Sequence, residues 1–237
     1  KNEALLYRFI DAAFTKVFFN NSKTEYNGEQ YINRGVLYRF LLRLLKMDME
    51  YAPFTYIGGE RVINMPYTID CKDRKLTVAL GGKIDRVDIK DATINIVDYK
   101  TGRSKRETKT SLENIFENQT QTAAYRLQAF LYSIALKNAL SGGCPCNSGW
   151  VKKIDPVAER KISPSLLYVH HKDDADRTDF VIKVQKNPVE DISAIEAEYM
   201  KRLQQVLTDI FDIDKPFVPA TDSKKCEYCD YKEICGK

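Results

Sequence analysis

Gly81-Gly82-Lys83-Ile84-Asp85-Arg86-Val87-Asp88-Ile89 is followed by Lys90-Asp91-Ala92-Thr93 and then by Ile94-Asn95-Ile96-Val97-Asp98-Tyr99-Lys100. Two runs rich in β-branched residues flank a short polar link, the pattern of an antiparallel hairpin with Asp91-Ala92 as its two-residue turn. Pairing Lys90 with Thr93 then sets Asp85 opposite Asp98. Because side chains alternate, Asp85, Val87 and Ile89 are expected to share a face with Ile94, Ile96, Asp98 and Lys100. That face is apolar at the turn end and charged at the other.

Two carboxylates about 5 Å apart across a ladder repel, so a cation between them is expected. Magnesium or manganese takes oxygen ligands of this kind and keeps positions open for water and a phosphate oxygen. Lys100 lies two residues past Asp98, about 7 Å further along the same face, within reach of the same point. Its ammonium would orient the attacking water and stabilise charge developing on a phosphorus centre. A surface hairpin with weak, solvated Asp–Lys pairs is the competing reading of these residues taken alone.

Outward from the hairpin, the patterning changes. Apolar residues at helical spacing run from Lys1 to Asn20 (Leu6, Phe9, Ile10, Ala13, Val17) and from about Ile32 to Lys46 (Leu37, Phe40, Leu41, Leu44, Leu45). After Pro53, Tyr56–Ile69, Lys75–Ile89 and Thr93–Lys100 read as an antiparallel meander. A helix over about Gln119–Leu140 ends at Ser141-Gly142-Gly143. Ser165–His170 and Asp179–Gln185 read as strands, and Val189 to about Phe211 as an amphipathic helix. With 43% hydrophobic residues in 237, the chain is long enough to bury a full core, and one large domain is expected: a helical part over 1–55, a core over 56–214, and a Cys-rich tail over 215–237. No apolar run approaches the ~20 residues of a membrane span. The opening at Lys1 without a methionine or signal peptide suggests a piece of a longer polypeptide. A net charge of +4 only mildly favours a polyanionic partner.

Gly82-Lys83-Ile84-Asp85-Arg86-Val87-Asp88 and Val97-Asp98-Tyr99-Lys100-Thr101-Gly102 resemble the core motifs of the PD-(D/E)XK nuclease superfamily, in its RecB and AddB branch. A third motif of that branch, glutamine followed four residues later by tyrosine, matches Gln128 and Tyr132. The resemblance implies an α/β, restriction-endonuclease-like core, a mixed central β-sheet flanked by helices. It implies metal held by Asp85, Asp98 and the Tyr99 carbonyl, catalysis by Lys100, and Gln128 and Tyr132 beside the active centre. Ile57-Gly58-Gly59-Glu60 looks like the family's glutamate motif, which makes Glu60 a candidate metal or water ligand; an exposed turn glutamate is the plainer reading. The branch usually carries a metal-contacting histidine in an N-terminal helix, yet residues 1–60 contain none, and His170 and His171 lie in a later strand.

Cys226, Cys229 and Cys235 have the spacing Cys-x2-Cys-x5-Cys, which resembles part of the four-iron four-sulfur staple of AddB-type nucleases. No cysteine precedes Cys71, and Cys71, Cys144 and Cys146 are off the family's position for the fourth ligand. A three-Cys zinc site and reduced thiols in a cytoplasmic protein are the alternatives. The resemblance further implies DNA as partner, a helicase region in the same polypeptide, an AddA- or RecC-like partner subunit, no membrane, and a role in double-strand break repair, exonuclease rather than endonuclease. The basic run Lys100, Arg103, Lys105, Arg106 and Lys109 is a candidate guide for the phosphate backbone or, equally, a solvated loop. A non-catalytic DNA-binding or scaffold module with a retained nuclease fold is the rival function.

Overall fold

The computed structural model describes residues 3–22, 25–71, 74–102, 110–117, 120–142, 149–155, 160–169, 180–216, 218, 226–227 and 229–236. The basic run over 103–109, Cys144, Cys146, His170 and His171 lie outside the described residues.

Helix α1 (Glu3–Ala13) continues into a π-helical turn, Phe14–Phe18, where a single longer helix was expected. Helix α2 (Gly28–Tyr51) starts earlier and ends later than the apolar spacing indicates. Its start is fixed by reciprocal bonds: the Gln30 amide donates to Asn27 Oδ1 and the Asn27 amide to Gln30 Oε1, both at 2.9 Å. Pro53, two residues beyond its last turn, cannot continue it. The two helices are joined by Asp11, which accepts from Arg34 Nε at 2.6 Å and Nη2 at 2.8 Å.

Strands β1 (Thr55–Cys71), β2 (Arg74–Lys90) and β3 (Thr93–Lys100) form the expected antiparallel meander. After β3 come α3 (Leu112–Glu117) and α4 (Gln121–Leu140), and the chain returns as β4 (Lys161–Tyr168), parallel to β3 from Thr93↔Lys161 to Lys100↔Tyr168. The sheet is mixed, in the order β1-β2-β3-β4, with helices on both faces. A parallel pair needs a helical crossover, which buries the sheet on that side as well. Val87, Ile89, Ile94 and Ile96 pack with Phe130, Ile134 and Leu136 of α4, while Val97, Leu167 and Val169 pack on the opposite face with Met47 of α2.

The strand expected over Asp179–Gln185 is reduced to a bridge, Ser165↔Val181, and a short hairpin of β5 (Lys183–Val184) and β6 (Asn187–Pro188). Gln185 and Lys186 both have positive φ (49° and 72°), so the chain reverses there. The helix expected from Val189 begins with a 3₁₀ turn, Ile192–Ala194, under the Asp191 side chain, before α5 (Glu196–Phe211). Tyr199 of α5 is wholly enclosed and donates to the Leu127 carbonyl at 2.9 Å, tying α5 to α4. No helix among the described residues is long and apolar enough to cross a membrane.

Candidate active site

The β2–β3 ladder has the register read from the sequence, Lys90↔Thr93 through Arg86↔Val97. One step further stand Asp85 and Asp98. On the other side of β2, Gly59↔Arg86 and Arg61↔Ile84 bracket Glu60 opposite Asp85. Glu60, Asp85 and Asp98 therefore occupy one level across three neighbouring strands.

At that level the ladder is interrupted. The Tyr99 amide donates to Asp85 Oδ2 at 2.8 Å, where a regular ladder would offer a backbone carbonyl. Ile84 and Val87, three residues apart, pack in the same core cluster, so alternation slips between them, and Glu60 opposite is left-handed at φ 53°. The expectation that Asp85 simply continues the face of Val87 and Ile89 is thus corrected. Its carboxylate turns toward β3 and satisfies an amide that the slip leaves without a ladder partner. Since the N–H and C=O of a strand residue point to the same neighbour, the Tyr99 carbonyl is directed into the gap that Asp85 occupies.

Asp98 is 2% exposed. Burial pushes its carboxyl above the usual carboxylate range, and the nearby Asp85 charge adds to this, while Lys100 works against it. Lys100 Nζ lies 2.6 Å from Asp98 Oδ2. The approach is that of an ion pair without hydrogen-bond direction, and Oδ2 has no hydrogen-bond donor among the described residues. Lys100 also donates to Gln128 Oε1 at 3.3 Å and lies 3.9 Å over the centroid of the Tyr125 ring. Gln128 is held in turn, its Nε2 donating to the Tyr132 hydroxyl at 2.7 Å. Asp85, Asp98, Lys100, Gln128 and Tyr132 are brought together as the sequence indicates. Glu60 stands at their level but its carboxylate pairs with Lys83 on the surface.

Gly82 forms the floor under Tyr132. A β-carbon there would stand 2.5 Å from the tyrosine hydroxyl and 2.7 Å from its ring, closer than atoms pack. Gly82→Ala is expected to lower stability by about 1–3 kcal/mol and to push Tyr132 off Gln128. Thermal unfolding of the variant checks this; an unchanged midpoint contradicts it.

Sequence reasoning missed two groups. Tyr125, three residues before Gln128, shares its helix face, a position helical spacing alone identifies. Behind the site, the Arg86 guanidinium donates to Asp88 Oδ2 (2.8 Å), to Asp48 Oδ2 of α2 (2.6 Å) and to the Tyr99 hydroxyl (3.3 Å), and it faces the rings of Phe54 and Tyr56. Burial opposes the charge on Arg86, but the bond to Asp48 and the contact with Tyr99 outweigh it. The signal was the motif itself, which contains Arg86 and Asp88 without a role for either.

Cys71 is buried, Cys226 and Cys229 are half-buried and Cys235 is exposed, all as free thiols. Among the described residues no three His, Cys, Asp or Glu side chains stand together as a metal-ligand set. The three tail cysteines are therefore not gathered around one point, and the carboxylate row offers two acidic side chains with Glu60 turned aside. The family model of the PD-(D/E)XK nuclease superfamily matches residues 1–236, and no curated protein matches the chain.

Proposed function

Because the chain belongs to the PD-(D/E)XK nuclease superfamily, we propose that it is a metal-dependent deoxyribonuclease whose working residues are Asp85, Asp98 and Lys100. The observation that carries this reading is the buried Asp98 carboxylate, which stands beside the Asp85 charge and has the Lys100 ammonium 2.6 Å from its Oδ2. Two neighbouring carboxylates, one of them buried, carry more negative charge than the single Lys100 ammonium offsets, and a hard divalent cation fits a donor set of two carboxylates and a peptide carbonyl.

Asp85, Asp98 and the Tyr99 carbonyl would hold magnesium or manganese. Such an ion polarises a phosphoryl oxygen and lowers the pKa of a bound water. Lys100, kept at the site by Gln128 and Tyr125, orients the attacking water and stabilises negative charge on the reacting phosphate. Gln128, fixed by Tyr132, sets the direction of that lysine. Glu60, one strand away, assists as a further water or metal ligand when it leaves Lys83.

The finer reading follows the resemblance of the motifs to the RecB and AddB branch: an exonuclease acting in double-strand break repair, attached to a helicase region and working with a partner subunit. The Cys226, Cys229 and Cys235 tail belongs to this reading as a candidate iron–sulfur staple, with no part in the chemistry.

Incubation of the protein with linear DNA, with and without magnesium, tests the proposal. Degradation that depends on magnesium and stops on chelation is expected. Cleavage that survives chelation contradicts the metal mechanism. DNA binding with no cleavage under any divalent cation replaces the enzyme with a scaffold module.

A further inference from the structure

We propose that Tyr125 is a positioning residue for Lys100, its ring face keeping the ammonium at the reaction centre when the Asp98 carboxylate is given over to a cation. This rests on the nuclease reading above. Among the described residues, Lys100 Nζ meets Asp98 Oδ2 at 2.6 Å, Gln128 Oε1 at 3.3 Å and the Tyr125 ring centroid at 3.9 Å. Only the first carries full charge, and it is the atom that a metal would claim. Asp98 Oδ2 cannot hold an ammonium and a divalent cation side by side without strong like-charge repulsion.

Once Asp98 is withdrawn, a four-carbon side chain with large rotamer freedom needs another reason to stay. The Gln128 bond is long and depends on direction. An aromatic face attracts a cation over a broad range of approach, and the attraction strengthens where water is thin; the Lys100 side chain is only 12% exposed. The ring itself is anchored. Tyr125 packs against the main core cluster and sits on the same helix face as Gln128, three residues before it. The helix therefore presents Tyr125, Gln128 and Tyr132 as one cradle, in which Tyr132 fixes Gln128 and the other two hold the lysine.

The test replaces Tyr125 with phenylalanine and with mono-, di- and trifluorinated phenylalanine, which keep the ring's shape while removing its negative face step by step. Phenylalanine is expected to match the wild type. kcat is expected to fall along the fluorinated series, on the order of tenfold by the trifluoro ring, with KM and the unfolding midpoint unchanged. A second readout needs no activity. The Lys100 ε-methylene signal in lysine-labelled protein should be shifted upfield by the Tyr125 ring and should remain so on addition of magnesium, and Tyr125→Leu should abolish the shift. A flat kcat across the series overturns the proposal, as does a methylene signal that moves to its random-coil position when magnesium is added. Absence of DNA cleavage by the wild type strikes the nuclease reading instead, and leaves the methylene signal to decide the position of Lys100.

Discussion

Asp98→Ala is expected to lower magnesium-dependent DNA cleavage by about a thousandfold or more, while the fold survives the loss. Loss of a carboxylate that holds the metal removes several kcal/mol of transition-state stabilisation, and about 4 kcal/mol corresponds to three powers of ten in rate. The second half of the expectation comes from burial. Asp98 is raised above the usual carboxylate range, chiefly by burial and then by Asp85, so its charged form is disfavoured by folding. A group whose pKa is raised in the folded state works against stability at pH values above its unfolded pKa, and removing that charge offsets part of the cost of leaving Lys100 without its carboxylate. Asp98→Asn, nearly isosteric and able to accept a hydrogen bond from Lys100, separates the two effects: cleavage falls and the unfolding midpoint changes little. A variant that both unfolds and loses activity would make Asp98 a structural residue only, and one that keeps wild-type cleavage would remove it from the site.

Arg86→Ala carries the largest expected effect on stability, a loss of about 3–5 kcal/mol, because removing one partner of a buried ion pair leaves the other uncompensated. Asp88 is fully buried, its Oδ2 faces Arg86 Nε at 2.8 Å, and its Oδ1 accepts from Asn95 Nδ2 at 3.2 Å. Asp48, on α2, is held by the same guanidinium, so the variant also loosens the helix from the sheet. Denaturant unfolding measures this directly. In a double-mutant cycle with Asp88→Asn the two losses should be far from additive, because the neutral amide no longer needs the guanidinium. A loss below about 1 kcal/mol, or simple additivity, would contradict the account.

The two halves of the hairpin were legible in the sequence because a two-residue turn and a period of two leave little freedom: once Lys90 meets Thr93, Arg86 meets Val97 and the two aspartates stand one step further on. What the period could not reveal is its own failure at Asp85. There a side-chain carboxylate takes the Tyr99 amide in place of a backbone carbonyl, and Glu60 across the strand adopts a left-handed conformation. The mixed sheet was implied by the resemblance, but patterning alone did not place β4 parallel to β3, since a buried strand such as Lys161–Tyr168 shows no alternation to reveal its direction, and Pro164 within it argues locally against a strand. Helix α2 was underestimated because its ends are set by Asn27, Gln30 and Pro53 rather than by apolar spacing. The role of Arg86 depends on Asp48, 38 positions away, and distance along the chain hides such a partner until the fold is known.

The most direct measurement is anomalous diffraction from crystals of the protein grown or soaked with manganese. A peak is expected between Asp85 and Asp98, about 2.1 Å from a carboxylate oxygen of each and within reach of the Tyr99 carbonyl, and no peak there in Asp98→Ala. Manganese bound only elsewhere, or at this point in the Asp98→Ala variant as well, would contradict it.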